Sequence, residues 1–195
     1  MGQHRRLTNT LVLTAAVEAV EEKGLNELSL NELASRLGVK PPSLYNHISG
    51  LEDVRKHLAK EVIFRMETAI RDSAVGRSGE TALREMALAY RRFAKENPEL
   101  YKAFASSRQP KDPEIEAAIQ SLLSVLSRVL ETCGLAPKKE IHFIRIFHCG
   151  IYGFVKLETA GFFSGNVSAD ETFNELIQYQ TMLMNSYKKN RSELL

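Results

Sequence analysis

Apolar residues recur at helical spacing along the chain, and no segment keeps the alternation of period two that a half-buried strand requires. Leu13, Ala16, Val17 and Val20 fall at i, i+3, i+4 and i+7. The same template fits Leu30, Leu33, Ala34 and Leu37, then Leu83, Met86, Ala87 and Tyr90, and with one polar substitution Phe173, Leu176, Ile177 and Gln180. This spacing predicts an all-α fold. Start signals agree, because Ser29 with Glu32, Ser49 with Glu52 and Ser168 with Glu171 have the form of a capping box. Asn97-Pro98 and Asp112-Pro113 each set a capping residue before a proline suited to the first helical position. Gly24, Gly38 and Gly134 stand where helices should stop. The resulting map has about nine helices, at 8–23, 30–37, 41–48, 50–73, 79–96, 98–105, 113–133, 137–159 and 169–188. Short helices precede long ones, which divides the chain into a three-helix module at 1–49 and a larger helical bundle at 50–195.

Composition narrows the class. Lys and Arg total 26 against 24 Asp and Glu, a formal charge of +2. A nucleic-acid partner must therefore be argued from a local motif rather than from net charge. The longest run free of these four residues, Leu176 to Tyr187, is well short of the ~18 apolar residues of a membrane span. The N-terminus has no apolar core of a secretory signal. Two cysteines, Cys133 and Cys149, fit a reducing compartment, so the expectation is a cytoplasmic protein without membrane contact. No catalytic pattern emerges. His148 and Cys149 are adjacent on one helix and point about 100° apart, His142 and His148 are six residues apart, and Glu21-Glu22 reads as a solvated face. Neither catalysis, a metal nor a cofactor is expected.

Between Leu30 and Ile48 two helical patterns flank the short turn Gly38-Val39-Lys40, the arrangement of a helix-turn-helix. In that geometry the second helix enters the major groove while flanking groups hold phosphates. Leu44, Ile48 and Val39 would face the first two helices, which leaves Lys40, Pro41, Pro42, Ser43, Tyr45, Asn46 and His47 for DNA or solvent. Tyr45 and His47 offer donors suited to phosphate oxygens, and the amide of Asn46 suits an adenine edge. His4, Arg5 and Arg6 read either as a minor-groove arm or as a basic tip. A helical hairpin inside a bundle has the same bare pattern.

The residues around that pattern go further. Ala15-Ala16, Gly24, Ser29, Glu32-Leu33-Ala34, Gly38-Val39, and above all Leu44-Tyr45-Asn46-His47-Ile48 followed by Glu52-Asp53-Val54 make the stretch from Leu11 to Val54 resemble the DNA-binding region of TetR-family transcriptional regulators. The resemblance implies phosphate contacts by Tyr45 and His47, and places Lys40 and Ser43 near base edges or phosphates. Leu51 stands where many members have Lys. The candidate DNA-contacting set is Ser29, Lys40, Pro41, Pro42, Ser43, Tyr45, Asn46 and His47.

Farther on, Tyr90-Arg91-Arg92-Phe93-Ala94, Asn97-Pro98-Glu99-Leu100-Tyr101, and Gly153 to Glu158 with Ala160-Gly161 resemble the C-terminal domain of one TetR subgroup. Tyr152-Gly153 stands where that type often has His-Gly. The likeness implies a cavity among helices 4 to 8 that senses a small molecule. Candidate lining residues are Met66, Met86, Tyr90, Phe93, Tyr101, Phe104, Phe147, His148 and Tyr152, and plain core packing would produce the same aromatic stripe. Helix 8 is apolar nearly all round, with Gly150 and Gly153 in its interior, and helices 8 and 9 are the candidate homodimer interface. The expected function is a homodimeric repressor of a palindromic operator, modulated by a small-molecule effector. The alternative is an all-α dimeric module that binds a small molecule or protein without reading DNA.

Overall fold

A computed structural model describes residues 7–106 and 112–189 of the 195-residue chain. His4, Arg5 and Arg6 lie outside the described residues. Within the described residues run α1 (Asn9–Lys23), α2 (Leu30–Leu37), α3 (Pro41–Leu44), α4 (Leu51–Ala74), α5 (Gly79–Glu96), α6 (Pro98–Ser106), α7 (Pro113–Glu131), α8 (Pro137–Thr159) and α9 (Ala169–Lys189), with a 3-10 turn at Leu25–Glu27 and no strand. The fold is all-α, as the periodicity predicts.

Side-chain caps open several of the helices. Ser29 Oγ accepts the Glu32 N–H at 3.2 Å, and Asp112 Oδ1 accepts the N–H groups of Glu114 and Ile115 at 2.9 and 3.2 Å. Helix α4 departs from the expected box. Gly50, at φ 137°, precedes its first residue, so the third helical position is Asp53 rather than Glu52. Accordingly Asp53 Oδ2 accepts the Ser49 N–H at 2.9 Å, while Glu52 turns to Arg55 at 2.7 Å. The third helix is also shorter than the 41–48 expected. Regular α-helix stops at Leu44, because the amides of Tyr45 and His47 return to carbonyls three residues back, Pro42 O and Leu44 O, rather than four. The chain continues as tight turns, with His47 N–H donating to Leu44 O at 2.8 Å, and closes when Ile48 N–H reaches the same carbonyl at 3.0 Å.

The chain forms two compact units, Met1–Phe64 with Asn97–Ala118, and Arg65–Glu96 with Ile119–Leu195. They follow packing, whereas the division expected at 49/50 follows the contrast between short and long helices. In the first unit α6 packs on α1 and on the 3-10 turn, and α2 packs on α1 and α3. Its core includes Val12, Ala16, Val20, Leu33, Leu44, Val54 and Leu58. Gly24 ends α1 at φ 86°, a backbone conformation that side-chain-bearing residues rarely adopt. Ion pairs stitch α1 to α2, Lys23 to Glu32 at 2.8 Å and Arg36 to Glu22 at 2.7 Å. Glu22 is thus a bridge, not merely part of a solvated face. Both carboxyls are held below the usual range, Glu22 by Arg36 and Glu32 chiefly by Lys23. Lys56 and Lys60 of α4 likewise grip Glu114 at the start of α7, which pulls its carboxyl down to about 2.

In the second unit α5, α8 and α9 pack together. Phe143, Phe147, Ile151, Phe154 and Val155 of α8 are buried, as are Phe173, Ile177 and Met184 of α9. The Arg91 side chain is only 8% exposed and lies 4.7 and 5.5 Å from the ring centroids of Phe173 and Phe154. Its guanidinium donates to Glu158 at 2.8 Å and to Asp170 at 2.6 Å, and Glu158's carboxyl is held below its usual range by Arg91 first and Lys95 second. Gln180, the one polar residue in its helical pattern, is buried. Its Nε2 donates to the carbonyls of Ile146 and Phe147, both at 3.3 Å, and rests where a Cβ on Gly150 would be. An added Cβ at Gly150 would push that amide off its two carbonyls, while Gly153 faces open space.

Candidate functional site

The first unit builds an outward polar flank from one short helix and the turn after it. Gly38 ends α2 in the left-handed region at φ 65°, its N–H returning to Ser35 O at 3.2 Å, and Lys40 then leads into the proline pair. Leu44, fully buried, and Ile48, 9% exposed, pin this segment to the core. One anchor lies on each side of Tyr45, Asn46 and His47, so those three are held on the opposite side. Tyr45 is 59% exposed. Lys40, Pro42 and Asn46 are exposed too, whereas Pro41, Ser43 and His47 are half-buried.

Two site residues have local partners. Ser29 is half-buried, and its oxygen already caps α2. His47 Nδ1 lies 3.2 Å from Asn9 Oδ1, so the first residue of α1 fixes the imidazole ring and leaves Nε2 as its edge for an outside partner. Asn9 was not legible as a site residue. It stands 38 positions from His47, and no periodic pattern connects them.

The second unit contains a cavity of about 40 Å³. Ile70 of α4 and Met86, Ala87 and Tyr90 of α5 form one side, and Leu122, Leu123 and Leu126 of α7 with Phe147, His148 and Ile151 of α8 form the other. Of the candidate lining residues, Met86, Tyr90, Phe147 and His148 come together here. Met66 and Phe93 are buried in the same unit but are not part of this wall, and Tyr152 sits behind it with its ring stacked on His148 at 6.0 Å. Tyr101 and Phe104 belong to the first unit, where their rings face each other at 6.0 Å. Sequence reasoning missed the aliphatic part of the wall. Its spacing was visible, but a leucine beside a void reads like a leucine against another side chain. Among the described residues no three His, Cys, Asp or Glu are grouped to hold a metal, and no helix is long and apolar enough to cross a membrane.

A left-handed glycine turn followed by a short helix, anchored by two aliphatic residues and polar on its outer side, defines the helix-turn-helix class of DNA-binding proteins. Residues 12–54 match the family described as bacterial regulatory proteins, tetR family, and residues 83–179 match a tetracyclin repressor-like C-terminal domain. An uncharacterised HTH-type transcriptional regulator of Mycobacterium tuberculosis is 32% identical over 175 residues, 88% of this chain and 79% of that protein. One from Bacillus subtilis is 34% identical over 152 residues, 77% of this chain and 78% of its own. The chain belongs to the TetR family of transcriptional regulators, and its activity is DNA-binding control of transcription. The fold is shared with a TetR variant of Acinetobacter baumannii AYE solved in complex with minocycline, at a TM-score of 0.65 and 22% identity over 95% of this chain and 99% of that one.

Proposed function

We propose that this chain is a cytoplasmic repressor that binds a palindromic operator as a homodimer and releases it when a small molecule occupies the second unit. The observation that carries the reading is the anchored polar flank at 40–47, outward on a segment whose apolar residues are buried. In this reading Tyr45 and His47 contact phosphates and set the register. Lys40 and Ser43 reach base edges or phosphates, Asn46 meets an adenine edge, and Ser29, Pro41 and Pro42 border the contact.

A homodimer is supported by the outer side of α8 and α9. Ile146 and Leu157 are exposed on one side of α8, and Tyr179 and Met182 on one side of α9, and a second copy would cover apolar area that is costly to leave in water. An effector site is supported by the cavity, and by the complex of the Acinetobacter neighbour with minocycline.

Selection of bound sequences from random duplexes, followed by sedimentation of the complex, tests the reading. One enriched palindrome occupied by two chains is expected. No enrichment would favour a dimeric binding module that does not read DNA.

A further inference from the structure

We infer that Asn9 is a positioning residue for DNA contact, and that it presents His47 to the operator as an imidazolium, so that binding takes up a proton. The inference rests on the phosphate contact proposed above for His47 and assigns that contact its protonation state. An amide oxygen has no hydrogen to give. The bond between Asn9 Oδ1 and His47 Nδ1, 3.2 Å long, therefore places a proton on Nδ1. In the neutral ring the outward Nε2 is then a bare acceptor, and a phosphate oxygen, an acceptor itself, offers it nothing to bind. Only the imidazolium, which donates from both nitrogens, satisfies the carbonyl on one side and the phosphate on the other.

The charges around the ring leave that role to the DNA. Thr8 caps α1, so the side chain of Asn9 is left over for His47, and the first turn of α1 holds no acidic residue. On α2, Glu32 pairs with Lys23 and Arg36 with Glu22. At the start of α4, Glu52 pairs with Arg55, while Asp53 accepts the Ser49 N–H and lies 3.1 Å from His57. Lys40 and Tyr45 are the other titratable groups of the segment, and among the described residues neither bonds to His47, which has no carboxylate partner. No acid of the chain thus offsets an imidazolium there, and a phosphate would. Because the complex favours the charged ring, affinity is greatest at low pH and is lost as the pH rises through the range in which an imidazole titrates, roughly 6 to 8.

The test uses the full chain with the duplex enriched by selection from random sequences. Calorimetry in two buffers of different ionisation heat counts the protons bound, and about half a proton or more per chain is expected at pH 7.5. Affinity should fall about ten-fold per chain from pH 6 to pH 8. His47→Gln keeps a hydrogen-bond donor but cannot titrate, so its uptake should vanish. In Asn9→Ala the neutral ring is free to carry its proton on Nε2 and donate it to the phosphate, so the ten-fold fall should shrink to about two-fold. A merely structural role for Asn9 would lower affinity equally at both pH values. In nitrogen-15 NMR of the free chain at pH 8, the His47 signal, identified by its loss in His47→Gln, should show the proton on Nδ1. Circular dichroism confirms that Asn9→Ala is folded, and should it not fold, the tautomer and the proton count of the native chain decide. A proton on Nε2 in the native chain, or an unchanged pH profile in folded Asn9→Ala, would overturn the inference. An enriched duplex bound without proton uptake overturns the inference alone, whereas no enriched duplex overturns the operator reading and the inference with it.

Discussion

Arg36 and Arg91 each tie helices together through carboxylates, yet they do so in opposite surroundings. Arg36, in the first unit, bridges Glu22 of α1 and Glu32 of α2 nearer the surface, its own side chain 19% exposed and that of Glu22 57%. Arg91, in the second, is clasped between two phenylalanine rings and paired with Glu158, itself only 12% exposed. The first unit pairs these charges nearer its surface and turns polar groups of 40–47 outward, with His47 held through Nδ1 by Asn9. The second buries its polarity and sets mostly apolar walls around its pocket. An outward polar flank and an apolar pocket are thus built from opposite residue types by the same helical architecture.

The largest expected effect comes from Arg91→Leu, which should cost about 3 kcal/mol in chemical denaturation, because the carboxylate of Glu158, only 12% exposed, then loses its principal partner and keeps Lys95. Asp170→Asn should cost far less, since Asp170 is 73% exposed. Equal losses would show that burial is not what separates the two units. Next come Tyr45→Phe and His47→Ala. Each is expected to lower operator affinity about ten-fold and evenly across operator variants, as loss of a hydrogen bond to a charged phosphate implies. An effect confined to one base pair would reassign that residue to base reading.

Arg36→Leu is expected to cost much less than Arg91→Leu, as loss of ion pairs with solvated carboxylates implies. A loss matching that of Arg91→Leu would erase the contrast. The smallest effect is a pH dependence at Glu114. Its carboxyl sits at about 2 against an ordinary 4.5, so its contribution is present above pH 4.5 and is lost as the pH falls towards 2. Comparing thermal midpoints of the native chain and Glu114→Gln from pH 6 to pH 2 should show a gap that closes over that window. A constant gap would mean that the ion pairs with Lys56 and Lys60 contribute nothing.

Much of this architecture was legible before any coordinates, for reasons that also explain the exceptions. Helices α2, α5 and α8 run as expected, because capping residues, prolines and left-handed glycines act locally. The third helix was overextended, since the apolar pair Leu44 and Ile48 has helical spacing whether or not the backbone between them stays helical. The outward flank at 40–47 could be read because exposure there is the complement of anchoring. Only the aromatic and methionine part of the cavity was found, as periodicity tells which way a side chain points but not whether anything fills the space it points into. The bonds of Asn9 to His47 and of Arg91 to Asp170 join residues 38 and 79 positions apart, and only folding brings them together.

Gln180, lying across α8 at Gly150, couples two distant positions into one heritable choice. A relative with alanine at the first position must shorten the side chain at the second, and one that keeps the amide must keep the glycine. Either change alone is a misfit and both together are a repair, so in laboratory evolution of this scaffold the pair should move as a unit while its neighbours drift independently.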